Sequence, residues 1–126
     1  MGARPPFASV WFDCDSTLSA IEGIDELMAT LPEATKRDLL ELTQRAMEGA
    51  IPLAEVYETR LAKIAPTASQ LAAIGDRYAQ RMTKDADLVV AALQSLGKRV
   101  GVISGGLYEP VRALAHRLGI HDDDVH

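Results

Sequence analysis

The chain has 126 residues, 48% of them apolar, which is enough for one domain with a core and a small appendage but too few for two full domains. A net charge of -5 with no stripe of Lys or Arg argues against nucleic acid and anionic membrane surfaces as partners, and no apolar run is long enough to span a bilayer. Cys14 is the only cysteine, so no internal disulfide can form and a soluble protein of a reducing, cytoplasmic compartment is expected.

Residues 1–6 carry no apolar signal segment, and Pro6 stands where a myristoylation motif needs Ser or Thr. The run 7–12 reads as a strand buried on both faces, as in a parallel sheet. Pro32 at a first helical turn, with Leu39, Leu42, Ala46 and Met47 on one face, predicts a helix over about 33–48 that Gly49 ends. Leu53, Val56, Tyr57, Leu61 and Ile64 recur at helical spacing and predict an amphipathic helix stopping before Pro66. Thr67 and Gln70 have capping-box spacing. The helix they open carries Leu71, Ile74, Tyr78 and Met82 as its buried stripe despite Gly75 in its interior, and it ends near Thr83. Residues 87–96 read as a helix with Leu88, Ala92, Leu93 and Leu96 inward, closed by Gly97. The run "VGVIS" at 100–104 reads as a strand, and Val111, Leu114, Ala115 and Leu118 mark a helix stopped by Gly119. Asp122 to Asp124 read as an exposed acidic loop before a further strand. The sum predicts an α/β fold: a doubly wound, Rossmann-like parallel core from 1–18 and 83–126, interrupted by a helical insertion at 19–82.

Two polar clusters fall at the carboxyl ends of predicted strands, where open α/β sheets place their ligands. Asp13 and Asp15 can serve one hard cation, with water and substrate oxygens completing the octahedron that Mg2+ prefers. Ser104, followed by Gly105 and Gly106 at a helix start, allows a hydroxyl and backbone N–H groups close to a phosphate. The like charges are tolerable if a cation and a phosphoryl group share that mouth. Blander readings stay open for each group. The aspartates would also suit a solvated turn or the metal-binding pair of a glycosyltransferase, and Ser104 a simple helix N-cap. Glu22 and Arg60 need no function on exposed helix faces, and Met47 would pack in a core. Cys14, with no His near it in sequence, fits a small buried hydrophobe better than a nucleophile. His116, His121 and His126 have no metal-ligand spacing.

The segments "FDCDST", "EGIDEL", "AMEG", the helix carrying Arg60, and "VISGG" occur in an order that resembles the phosphoserine phosphatases of the haloacid dehalogenase superfamily, in their N-terminal part. The resemblance implies a haloacid-dehalogenase-like core whose helical insertion is a substrate-selecting cap. It implies Asp13 as the nucleophile that becomes an aspartyl-phosphate, Asp15 as general acid and base, and both as Mg2+ ligands. Glu22 and Arg60 would hold the amino and carboxylate groups of O-phospho-L-serine, Ser104 and Gly105 the phosphoryl oxygens, and Met47 the pocket wall. The implied activity is hydrolysis to L-serine and phosphate in serine biosynthesis. The sequence departs from the family after Gly119, where neither the family's downstream lysine nor its further acidic metal loop has a match. The chain is therefore expected to be a fragment, weak or inactive alone. A related phosphatase for another small metabolite, and a truncated paralogue without turnover, are the alternatives.

Overall fold

The computed structural model describes residues 6–126, so the reading of 1–5 lies outside the described residues. Two four-residue strands, β1 (Ser9–Phe12) and β2 (Arg99–Val102), pair in parallel with Ser9 opposite Arg99 and Phe12 opposite Val102. Val102 also bridges Val125 in parallel, and His126 N–H donates to the Val102 carbonyl at 2.9 Å, so a third chain segment lies along β2. This pairing makes β2 the inner strand, and its Val100 and Val102 are buried. β1 is half-buried along its whole length, which corrects the expectation of burial on both faces. It is an edge strand among the described residues, and Phe7, read as part of it, lies outside the strand and is exposed.

Between the strands come α1 (Gly23–Met28), α2 (Glu33–Met47), α3 (Leu53–Ile64), α4 (Ala68–Gln80) and α5 (Ala86–Ser95); α6 (Tyr108–Arg117) follows β2. The helix starts obey local chemistry. Thr67 caps α4 through a reciprocal box in which its hydroxyl accepts from Gln70 N–H and the Gln70 side chain accepts from Thr67 N–H. Gly97 and Gly119 close α5 and α6 at φ of +74° and +75°, a region that disfavours side chains with a Cβ. Gly75 is not a flaw in α4. A Cβ there would lie 3.1 Å from the Ala113 Cβ, because α4 packs closely on α6 at that point.

The two ends of the helical insertion meet. Ser19 and Met82 form an antiparallel bridge, Ala20 N–H donates to Arg81 O at 2.8 Å, and Thr83 N–H donates to Leu18 O at 2.9 Å. Ser19, fully buried, donates its hydroxyl to Tyr78 O at 2.9 Å and to Arg81 O at 3.2 Å. These are carbonyls at the end of α4, where a helix has no intrahelical donors left.

Three burial expectations are corrected. In α5 the buried residues are Ala86 and Val90, with Leu93 partly buried, while Leu88, Leu96 and Ala92 face out. Of the stripe proposed for α3, Leu53 is exposed and Val56 and Ile64 are the buried members. Asp122 to Asp124 form a 3-10 turn rather than a free loop: Asp122 pairs with Arg112 at 2.9 Å and Asp124 with Arg99 at 2.5 Å. These pairs turn the chain back onto β2, where Val125 is buried.

Candidate active site

β1 delivers its last residue into a wide turn, Cys14–Leu18, closed by Ser19 N–H donating to Cys14 O at 3.1 Å. Within it Ser16 adopts a left-handed conformation, φ +55°, which is rare for a residue with a side chain and reverses the chain so that Asp13 and Asp15 open on one cavity. That cavity has a volume of about 300 Å³ and is lined by Asp13, Asp15, Glu22, Ile24, Tyr57, Arg60, Gly105 and Gly106.

Donors surround the acidic pair. Cys14 N–H donates to Asp13 Oδ1 at 2.6 Å. Asp15 Oδ1 accepts from Gly23 N–H at 2.7 Å and from the Tyr78 hydroxyl, and Asp15 Oδ2 accepts from Ser104 Oγ at 3.3 Å. Ser104 Oγ in turn accepts from Gly106 N–H at 3.0 Å. Hydrogen bonds to charged groups are each worth about 1.5–3 kcal/mol, so this shell offsets much of the cost of holding the carboxylate beside a like charge. Cys14 pays the electrostatic consequence. Burial, then the charges of Asp15, Asp13 and Glu22, push its thiol up to about 12, so it is neutral and unreactive at pH 7. Tyr78 is also raised, first by burial and then by its hydrogen bond to Asp15, so its hydroxyl stays a donor. Tyr57 is raised by burial and by Asp15, with Arg60 opposing.

Glu22, which precedes α1, also lines the cavity and accepts from Ser16 Oγ at 2.6 Å. Arg60 comes from α3, one turn after Tyr57, so both reach the same wall. Its side chain is only 17% exposed, and its guanidinium donates to Asp25 at 2.6 Å and rests on the Met28 sulfur at 2.9 Å. The cavity thus combines an acidic pair surrounded by small donors with one further carboxylate, Glu22, and one guanidinium, Arg60.

The chain is 34% identical over 117 residues to a phosphoserine phosphatase of Rattus norvegicus, a match covering 93% of this chain and 51% of the relative. A HAD-family hydrolase structure from Salmonella enterica serovar Typhi matches with a TM-score of 0.79 and 27% identity, over 97% of this chain and 41% of that one. The chain has a haloacid-dehalogenase-like fold. A structure of a phosphoserine phosphatase as a phospho-aspartyl intermediate analogue shares that fold, with a TM-score of 0.61 and 23% identity over 96% of this chain and 55% of that one. The chain spans about half the length of the curated relatives it matches. No protein-family model matches it.

The haloacid-dehalogenase-like frame brings Asp13, Asp15, Glu22, Arg60 and Gly105 to one cavity, with Ser104 behind Asp15. Met47 is not with them. It ends α2 with 78% exposure and does not line the cavity, so the expectation that it forms a pocket wall is corrected. The sequence reading missed Ile24, Tyr57 and above all Tyr78 as site residues, and placed both tyrosines in helical stripes. The available signal was chemical: a buried Tyr, unlike a Leu at the same spacing, needs a partner for its hydroxyl. No group of three or more His, Cys, Asp or Glu side chains suited to a metal occurs among the described residues, and no helix among them is long and apolar enough to cross a membrane.

Proposed function

We propose that this chain carries the catalytic aspartates and the substrate-selecting wall of a phosphoserine phosphatase, acting on O-phospho-L-serine. The observation that carries the proposal is one cavity whose lining joins Asp13, Asp15 and the Gly105–Gly106 turn to one further carboxylate, Glu22, and one guanidinium, Arg60. An amino acid bearing a phosphate has complementary groups: the phosphoryl toward the donors, the ammonium toward Glu22 and the carboxylate toward Arg60. Similarity to named phosphoserine phosphatases supports the same substrate. Residues 19–82 serve as the cap in this reading, supported by the pairing of Ser19 with Met82 at its neck.

Asp13 is the nucleophile. One of its oxygens is held by Cys14 N–H, and its other takes no hydrogen bond among the described residues. The free oxygen bonds to phosphorus as the bond to the seryl oxygen breaks, and Asp15 gives its proton to that leaving oxygen. Asp15 then takes a proton from water, which attacks phosphorus, breaking the bond to Asp13 and releasing phosphate. Ser104 and the amides of the Gly105–Gly106 turn hold the equatorial oxygens.

The donor set fits Mg2+, which commonly takes one or two carboxylates and completes its shell with water and substrate oxygens. Asp13 would hold it through its side chain and Asp15 through its backbone carbonyl, which would leave the Asp15 carboxyl for proton transfer. When bound it would neutralise charge on the phosphoryl oxygens.

Phosphate release from O-phospho-L-serine with magnesium tests the reading, with phosphoethanolamine, which lacks the carboxylate, as the comparison. Asp13→Asn should abolish turnover, and Arg60→Ala should raise KM for phosphoserine at least tenfold while leaving phosphoethanolamine unaffected. Equal turnover of both substrates would reject the assigned role of Arg60. A second reading, binding without turnover, draws on Arg60 being the only cation among the described residues that line the cavity. Calorimetric binding of phosphoserine with no hydrolysis would favour it.

A further inference from the structure

We propose that Tyr78 is a positioning residue for Asp15, joining the end of α4 to the catalytic turn; this rests on the reading of Asp15 as the proton carrier. The two oxygens of Asp15 are treated differently. Oδ1 takes two donors, Gly23 N–H at 2.7 Å and the Tyr78 hydroxyl, while Oδ2 takes only Ser104 Oγ at the longer distance of 3.3 Å. Oδ2 is directed at Gly106, which lines the cavity, and a Cβ built on Gly106 would overlap it. A carboxyl group that gives a proton to a leaving oxygen must present its proton-bearing oxygen to the substrate. With Oδ1 held by two donors, Oδ2 is the oxygen left facing the cavity and the substrate.

Tyr78 suits this task because it is fixed at both ends. The ring is fully buried, its hydroxyl meets Asp15, and its carbonyl accepts from Ser19 at 2.9 Å. Its helix packs on α6, so the hydroxyl is tied to the core that also carries Ser104. Gly23 completes the fit. Any side chain there would collide with the Tyr78 hydroxyl, so a glycine lets both donors reach the same oxygen. Asp15 and Tyr78 are 63 residues apart in sequence, with most of the insertion between them.

Tyr78→Phe removes the hydroxyl and keeps the ring. Two measurements on this chain decide the matter. In amide NMR, the Gly23 N–H becomes the only described donor to Oδ1, so its proton resonance should move by several tenths of a ppm while α5 amides stay in place; an unmoved Gly23 would overturn the proposal. In phosphoserine hydrolysis, kcat should fall about tenfold with KM unchanged within twofold, since a free carboxylate rotates without altering the substrate's amino and carboxylate contacts. An unchanged kcat, or a loss confined to KM, would also overturn it. If the wild-type chain shows no turnover, the activity proposal for the isolated chain fails and the Gly23 resonance alone decides the role of Tyr78.

Discussion

Cys14 sits without exposure between two carboxylates, and its environment makes an alkaline prediction. Its thiol titrates near 9.0 when free and is pushed up to about 12 in the fold, chiefly by burial. The folded state therefore keeps a proton that the unfolded chain releases. This contribution is full below pH 9 and is lost as pH rises from 9 to 12, at about 1.4 kcal/mol per pH unit once the unfolded thiol has ionised. Between pH 7 and pH 10, urea unfolding should show the wild type losing about 1.4 kcal/mol more stability than Cys14→Ala. Parallel losses would mean the thiol is not so confined. The adjoining glycines differ just as sharply. A Cβ at Gly106 would collide with Asp15 Oδ2 and lie 3.1 Å from Ser104 Oγ, whereas one at Gly105 meets nothing within 4 Å. Gly106→Ala should cut phosphoserine turnover roughly a hundredfold, on the scale of losing one well-placed polar group, with Gly105→Ala near wild type. The aspartates, Ser104 and the glycine turn were legible because their spacing at strand ends carries the chemistry. Tyr78 was not, because helical spacing records which face is buried and says nothing about what a hydroxyl on that face meets.

Individual helices show the same division. The capping box of α4 and the glycine ends of α5 and α6 are short-range features, and the residues that make them lie within a few positions of each other. Gly75 is long-range: it makes sense only with α6 in place, where a Cβ would lie 3.1 Å from the Ala113 Cβ and 3.7 Å from the Pro110 backbone. Alanine there would gain about 1 kcal/mol of helix propensity against a tight contact. Valine adds branched bulk that the contact cannot take. Gly75→Val should lower stability by about 1–3 kcal/mol, read as a fall in melting temperature of roughly 3–15 °C. A melting temperature at or above wild type would show that α4 and α6 are not in close contact. The six-residue α1, which brings Gly23 and Asp25 into place and has Glu22 as its N-cap, was invisible to periodicity because it is too short to repeat.

At the scale of the whole molecule, α5 is where periodicity and structure part. Its sequence, ADLVVAALQS, is apolar nearly all round, so two faces satisfy helical spacing equally well. Packing on β2 selects Ala86 and Val90, and leaves Leu88 64%, Val89 48% and Leu96 69% exposed. Single exposed apolar residues are ordinary, but Leu88 and Val89 on α5 with Leu96 at its C-cap are expected to bind apolar dyes and to favour self-association. Leu88→Lys combined with Leu96→Lys removes apolar surface without touching the buried face. Substitutions of that kind shift stability by only about 0.5 kcal/mol, because they neither open a cavity nor strand a buried polar group. The double variant should therefore unfold at the wild-type urea midpoint while binding less anilinonaphthalene sulfonate and sedimenting with less self-association. If instead it unfolds several degrees lower in temperature, Leu88 and Leu96 are packed against something in solution, and the orientation of α5 described above is wrong.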